Sequence, residues 1–115
     1  MRRYDDERYG LSRQDISFYR DCLLRTPADL NDRRYDLLAA DCSTLPPQFI
    51  AAAALDPLCD DSRALALLLE AAAVDHKLEV YSGVLHGFLH LSRTLDKADQ
   101  SLRDAARWLR QRLGT

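Results

Sequence analysis

Residues 48–55, QFIAAAAL, constrain the fold more than any other stretch. They form an apolar run pinned between Pro46-Pro47 and Asp56-Pro57. Alanine by itself favours helix, but a run this short between two proline stops is too brief for a typical helix. A strand buried on both faces has this signature: continuous apolar character with no polar alternation, as in a parallel sheet covered by helices. The small alanines allow helices to approach that sheet closely.

The rest of the chain supplies the covering elements. Ser12 followed by Asp15 is a helix start, since the hydroxyl caps free backbone N–H groups of the first turn. Ile16, Tyr19, Cys22 and Leu23 recur at helical spacing, so a helix is expected to about Leu24, with Thr26-Pro27 ending it. Residues 1–11 are expected to be flexible. Residues 26–47 hold three of the four prolines and read as a long irregular connection with a helical turn near Asp36–Ala40.

Residues 60–72, DDSRALALLLEAA, predict a helix whose acidic start suits the positive end of the helix dipole. It is apolar on most sides and is expected to be well buried. KLEVY at 77–81 alternates polar and apolar and predicts a second strand. Residues 82–93 form a loop. A last helix is expected from about Thr94 to Leu113, with Leu95, Ala98, Leu102, Ala106, Leu109 and Leu113 as its apolar stripe and Trp108 bordering it.

The order is helix, long loop, strand, helix, strand, helix: an α/β chain of one domain. Strands joined through a helix favour parallel pairing with a right-handed crossover. Two buried parallel strands do not make a stable sheet alone, and a fully apolar strand wants neighbours on both edges. The sheet is therefore expected to be incomplete.

Bulk properties narrow the function classes. With 115 residues, 47% hydrophobic and 30% charged, the chain reads as globular. Its 16 basic and 18 acidic residues are interleaved for a net charge of -2, which offers neither a basic field for nucleic acid nor a polybasic patch for a membrane. No apolar run nears the roughly 18 residues needed to span a bilayer, and MRRYDDERYG lacks the apolar segment of a signal peptide. Cys22, Cys42 and Cys59 are odd in number and far apart, with no CxxC pair, which predicts reduced thiols in the cytoplasm.

The chemistry collects at the strand ends. In open α/β sheets, reactive groups lie just beyond the carboxyl ends of strands. Asp56 follows the first strand and His86 follows the second, one strand–helix–strand unit apart, on adjacent loops of one sheet edge. An Asp so placed accepts the proton of one imidazole nitrogen, fixing the tautomer and stabilising the imidazolium that forms when the other nitrogen is protonated.

The stretches LPPQFIAAAALDPLCDD and AAAVDHKLEVYSGVLHGF, and more weakly YGLSRQDISFYRD, resemble the C-terminal part of α/β-hydrolase esterases of the hormone-sensitive-lipase-like group. The resemblance covers about Leu45–Leu113 and reaches back to Tyr9. It implies that Asp56-Pro57-Leu58 carries the triad acid and His86-Gly87-Phe88 the triad histidine, and the chain order nucleophile, acid, histidine is respected. It also implies an acyl-ester substrate for the complete enzyme. The sequence departs from the family in lacking both the G-x-S-x-G elbow and the HGG-type oxyanion stretch. Without a serine the histidine has nothing to activate, so the isolated chain is expected to be inactive. Smaller departures are Cys59, where the family usually has a basic residue, and Ala73, where glycine would fit a tight turn without strain.

Other roles are weaker. A metal site from His86 and His90 would need both on one helix face and a third ligand such as His76 or Asp56, and Gly87 favours a loop; neither metal nor cofactor is expected. His90 reads as incidental and His76 as exposed. Cys59 lies at a helix start, where a thiolate is favoured, but nothing places it against His86 and no oxyanion donors are evident, so it is disfavoured as a replacement nucleophile; Ser62 reads as a helix cap. Phe18, Tyr19, Tyr81 and Phe88 line an acyl pocket or simply pack. The alternative to an esterase portion is a non-catalytic remnant that binds or oligomerises through its exposed sheet edge, covered by another copy or by an upstream fragment.

Overall fold

Ser12 opens the first helix as its sequence demands. In the computed structural model, which describes residues 7–114, the Ser12 hydroxyl accepts the Asp15 backbone N–H at 3.2 Å. The Asp15 carboxylate in turn accepts the Ser12 N–H at 2.8 Å. This reciprocal box starts α1, Arg13–Leu23; the Ser12 hydroxyl, which also donates to the Asp15 carboxylate at 2.7 Å, and then the Ser12 N–H hold the Asp15 carboxyl below its ordinary range. The connection after it contains two short 3-10 turns, Pro27–Asn31 and Leu37–Ala39. The second falls where a helical turn is expected. Residues 1–6 of the expected flexible segment lie outside the described residues. Within the remainder, Glu7–Tyr9 form a 3-10 turn and Leu11 is buried.

The apolar run is strand β1, Gln48–Ala53. It is followed by α2, Cys59–Ala71, and β2, His76–Tyr81. The two strands pair in parallel from Gln48 opposite His76 to Ala53 opposite Tyr81, and among the described residues they make a two-stranded sheet. Helix α3, Asp96–Leu113, closes the chain. Successive residues of a strand face opposite sides. Phe49 meets Trp108 of α3 with ring centroids 5.9 Å apart, and Tyr81 donates its hydroxyl to Asp104 of α3 at 3.0 Å. The face bearing Phe49, Ala51, Ala53 and Tyr81 is therefore covered by α3, which leaves the other face to α2. Ala53, Tyr81, Val84, Phe88 and Ala98 form the core cluster, directly beneath the loop that follows β2.

Three expectations are corrected. The last helix turns a different side inward: Ala98, Ser101 and Trp108 are buried, while Leu102, Leu109 and Leu113 are exposed. Contacts with Phe49 and Tyr81 decide the orientation, and Arg112 reinforces it by lying 4.0 Å over the Trp108 ring and bonding Asp75 at 2.7 and 3.0 Å. Helix α2 buries only Cys59, Ala66 and Leu69, with Leu67 66% exposed, because one small sheet covers one side of it. Ser62 does not cap α2. Its hydroxyl donates back to the Leu58 carbonyl at 3.3 Å, one turn earlier, as serines within helices do.

Just beyond the end of α2, Ala73 takes a left-handed φ of 54°. Ala73 N–H bonds Glu70 O at 3.0 Å and Val74 N–H bonds Leu69 O at 2.9 Å, the paired bonds of a Schellman cap in which glycine is the usual residue. The strain expected at this position is present.

Candidate active site

Two backbone bonds stitch the loops beyond β1 and β2 together. Ala54 N–H donates to Tyr81 O at 2.9 Å, and Leu55 N–H to Val84 O at 3.1 Å. They deliver Asp56 and His86 to one edge. Pro57 has no N–H, so the first amide able to turn back onto the Asp56 side chain is that of Leu58, and it bonds Oδ1 at 2.8 Å. Oδ2 is left for the imidazole, whose Nδ1 lies 2.8 Å away. The Asp56 side chain is 12% exposed and the His86 side chain 41%, so the carboxylate is sheltered while the ring reaches outward. Among the described residues Nε2 has no hydrogen-bond partner.

The loop that carries His86 is held from both sides. Gly87 adopts a left-handed φ of 74°, and His90 N–H closes a turn onto its carbonyl at 3.0 Å. Phe88 is buried and packs against Tyr81, ring centroids 5.7 Å apart. Gly10 comes against the other side, where a Cβ would stand 4.0 Å from the His86 carbonyl oxygen. Neither Gly10 nor the Leu58 amide was expected from the sequence. The Asp-Pro-Leu order does encode the second, since proline leaves that amide as the first available donor. Nothing local marks Gly10.

A depression of about 350 Å³ runs from this pair to β1, lined by Ala51, Ala52, Ala53, Cys59 and Ser62 as well as Asp56 and His86. Cys59 is buried and Ser62 is committed to Leu58; neither bonds His86. His90 is exposed and does not join the pair. His76 is half-buried rather than exposed, at the opposite end of β2, with Nδ1 2.9 Å from Val74 O. Among the described residues no three His, Cys, Asp or Glu side chains converge as a metal set would. Of the aromatic candidates, Phe88 touches the depression while buried, Tyr81 lies in the core, and Phe18 and Tyr19 pack edge-on at 5.8 Å on exposed α1.

A carboxylate on Nδ1 of a neutral histidine leaves Nε2 with a free lone pair, so Nε2 can take a proton while the carboxylate stabilises the resulting imidazolium.

Residues 1–90 match the sequence model of a family described as alpha/beta hydrolase fold. Acetyl esterases of Salmonella typhi and Salmonella choleraesuis are 41% identical over 107 residues, covering 92% of this chain and 33% of theirs. An esterase structure from Pyrobaculum calidifontis superposes with a TM-score of 0.90 at 25% identity, over 96% of this chain and 36% of that one. An ester-hydrolase from the metagenome of Lake Arreo, complexed with a derivative of bipyridine phosphonate, gives 0.85 at 33% identity, over 93% and 34%. The chain thus spans about a third of the length of the curated relatives it matches. It belongs to the α/β-hydrolase family, corresponding to the C-terminal part of esterases of the hormone-sensitive-lipase-like group.

Proposed function

We propose that this chain supplies the acid, Asp56, and the histidine, His86, of a Ser-His-Asp triad that hydrolyses carboxylic esters. The observation that carries this reading is the 2.8 Å bond from His86 Nδ1 to Asp56 Oδ2 across the ends of two adjacent parallel strands. The serine lies outside these 115 residues, since none of those present stands in a G-x-S-x-G elbow. In the complete enzyme the serine oxygen attacks the ester carbonyl while its proton passes to His86 Nε2. The tetrahedral intermediate collapses, breaking the ester C–O bond, and His86 returns the proton to the departing alcohol. Water repeats the sequence on the acyl-serine, releasing the carboxylic acid. Asp56 holds His86 in the reactive tautomer throughout.

The acetyl esterase relatives support a short acyl ester as substrate. By itself the chain has a base with no nucleophile and is inactive. All three cysteines are free, which supports a reducing, cytoplasmic setting. Among the described residues no helix is long and apolar enough to cross a membrane.

The test is a chimaera in which this chain replaces the matching third of the Salmonella typhi acetyl esterase. Hydrolysis of p-nitrophenyl acetate by the chimaera, lost in His86→Ala, is expected. An inactive but folded chimaera, or equal activity in His86→Ala, contradicts the assignment.

A further inference from the structure

The depression beside the Asp56–His86 pair has one further polar side chain without a commitment. Asp56 is bound through Oδ1 to the Leu58 amide and through Oδ2 to His86, and Ser62 donates to the Leu58 carbonyl. His90 lines the same depression, yet among the described residues nothing bonds its ring. The rest of the lining, from Ala51–Ala53 to Phe88 and Leu89, is apolar apart from the Cys59 thiol. In a pocket that is apolar in bulk, the few polar groups decide how a ligand is oriented and which ligand is accepted.

His90 is held in place by its backbone, which leaves its ring free. It sits in a 3-10 turn, Phe88–Leu91, anchored by buried Phe88 and closed by the His90 N–H on Gly87 O at 3.0 Å. The ring lies over Gly87, where a Cβ would stand 3.7 Å from His90 Cδ2. His90 therefore rests against the residue that directly follows His86, with its ring exposed at the mouth of the depression. A group fixed in this way loses little freedom when it binds.

The functional reading above, on which this inference rests, says which half of an ester meets His90. The serine that attacks the acyl carbon lies outside these residues. The departing alcohol takes its proton from His86 Nε2, so its oxygen comes within about 3 Å of that nitrogen. What extends from that oxygen along the depression meets apolar lining and then His90. A neutral imidazole offers one donor and one acceptor, and a hydroxyl group bonds either nitrogen. We propose that His90 is a specificity-determining residue for the alcohol half of the ester. It hydrogen-bonds a hydroxyl beyond the ester oxygen, and esters of polyols are preferred over esters of plain alkyl alcohols.

The experiment uses the chimaera with the Salmonella typhi acetyl esterase and two acetates: glycerol monoacetate, and propyl acetate, which is the same ester without the two hydroxyls. Their different intrinsic reactivities cancel when the ratio of the two kcat/KM values in a variant is compared with the same ratio in the parent. His90→Leu is expected to lower the ratio of glycerol monoacetate to propyl acetate about three- to tenfold, the range for one hydrogen bond. His90→Gln, which keeps a donor and an acceptor, is expected to restore most of it. An active chimaera whose ratio is unchanged in His90→Leu, whether both rates hold or both fall together, overturns the inference and leaves the functional reading standing. A ratio that stays low in His90→Gln points to shape in place of hydrogen bonding and also overturns it. A folded chimaera that hydrolyses neither ester sinks the functional reading and this inference with it.

Discussion

His86 and Asp56, 30 residues apart in sequence, are joined through Nδ1 and Oδ2 at 2.8 Å. The contact is made entirely within this chain, and the second carboxylate oxygen is fixed by the Leu58 amide. An amide in place of the carboxylate keeps the shape but presents the wrong group to the ring. In the chimaeric esterase, Asp56→Asn is expected to lower kcat by about 10⁴-fold with little change in KM, the scale seen when a triad acid is replaced. Steady-state kinetics on p-nitrophenyl acetate check it.

Ala73 is strained where glycine would not be. Its φ of 54° places Cβ in a region that costs an L residue about 1–2 kcal/mol. Ala73→Gly also gives the unfolded chain more freedom, which offsets part of the gain. Net stabilisation of up to about 1 kcal/mol is expected, read as a higher urea midpoint with an unchanged slope.

Tyr81 ties the end of β2 to α3 through its hydroxyl on Asp104. Tyr81→Phe is expected to cost about 1–2 kcal/mol, the range for a hydrogen bond to a charged acceptor, softened because Arg107 still pairs with Asp104 at 3.2 Å. Burial, first, and the nearby Asp104 and Glu79 charges push the phenol up, against an opposing bond with Ser101. A raised folded pKa means full stability below the unfolded phenol value of about 10, lost as pH rises through the folded one. Urea midpoints measured upward from about pH 9 should fall less steeply in Tyr81→Phe than in the parent.

Asp75 and Arg112 act in the acid range. The Arg112 hydrogen bonds hold the Asp75 carboxyl below its ordinary range. A depressed folded pKa stabilises above the unfolded carboxylate value and loses that contribution as pH falls. The pair is on the surface, so the effect is small. Asp75→Asn is expected to lower the urea midpoint slightly at neutral pH, with parent and variant converging below about pH 3. A gap that widens in acid contradicts the pairing.

The site was more legible in the sequence than the surfaces around it. Pro46-Pro47, the alanine run and Asp56-Pro57 encode β1 and the position of Asp56 through local backbone limits alone. KLEVY with the loop after it does the same for His86. Strand boundaries differ from expectation by one or two residues; β1 ends at Ala53 rather than Leu55, whose N–H bonds Val84 O in the loop after β2. The facing of α3 was not legible. Its leucines form a regular stripe, yet Trp108, Ser101 and Ala98 are what Phe49 and Tyr81 meet. Periodicity finds an apolar face, but the contacts available in the fold decide which side turns inward. The exposed Leu102, Leu109 and Leu113 remain as apolar surface. Gly10 beside His86 is a long-range contact, and no local pattern announces it.

The tautomer of His86 in the isolated chain tests the central claim most directly. Free neutral histidine prefers the proton on Nε2. A carboxylate held at Nδ1 reverses that preference and frees Nε2 to accept a proton. Nitrogen-15 correlation spectra of the 115-residue chain, recorded above the histidine titration range, should show the neutral His86 ring protonated at Nδ1. Asp56→Ala should shift the proton to Nε2. A His86 ring protonated at Nε2 in the parent chain, unchanged by Asp56→Ala, would contradict a preformed acid–histidine pair.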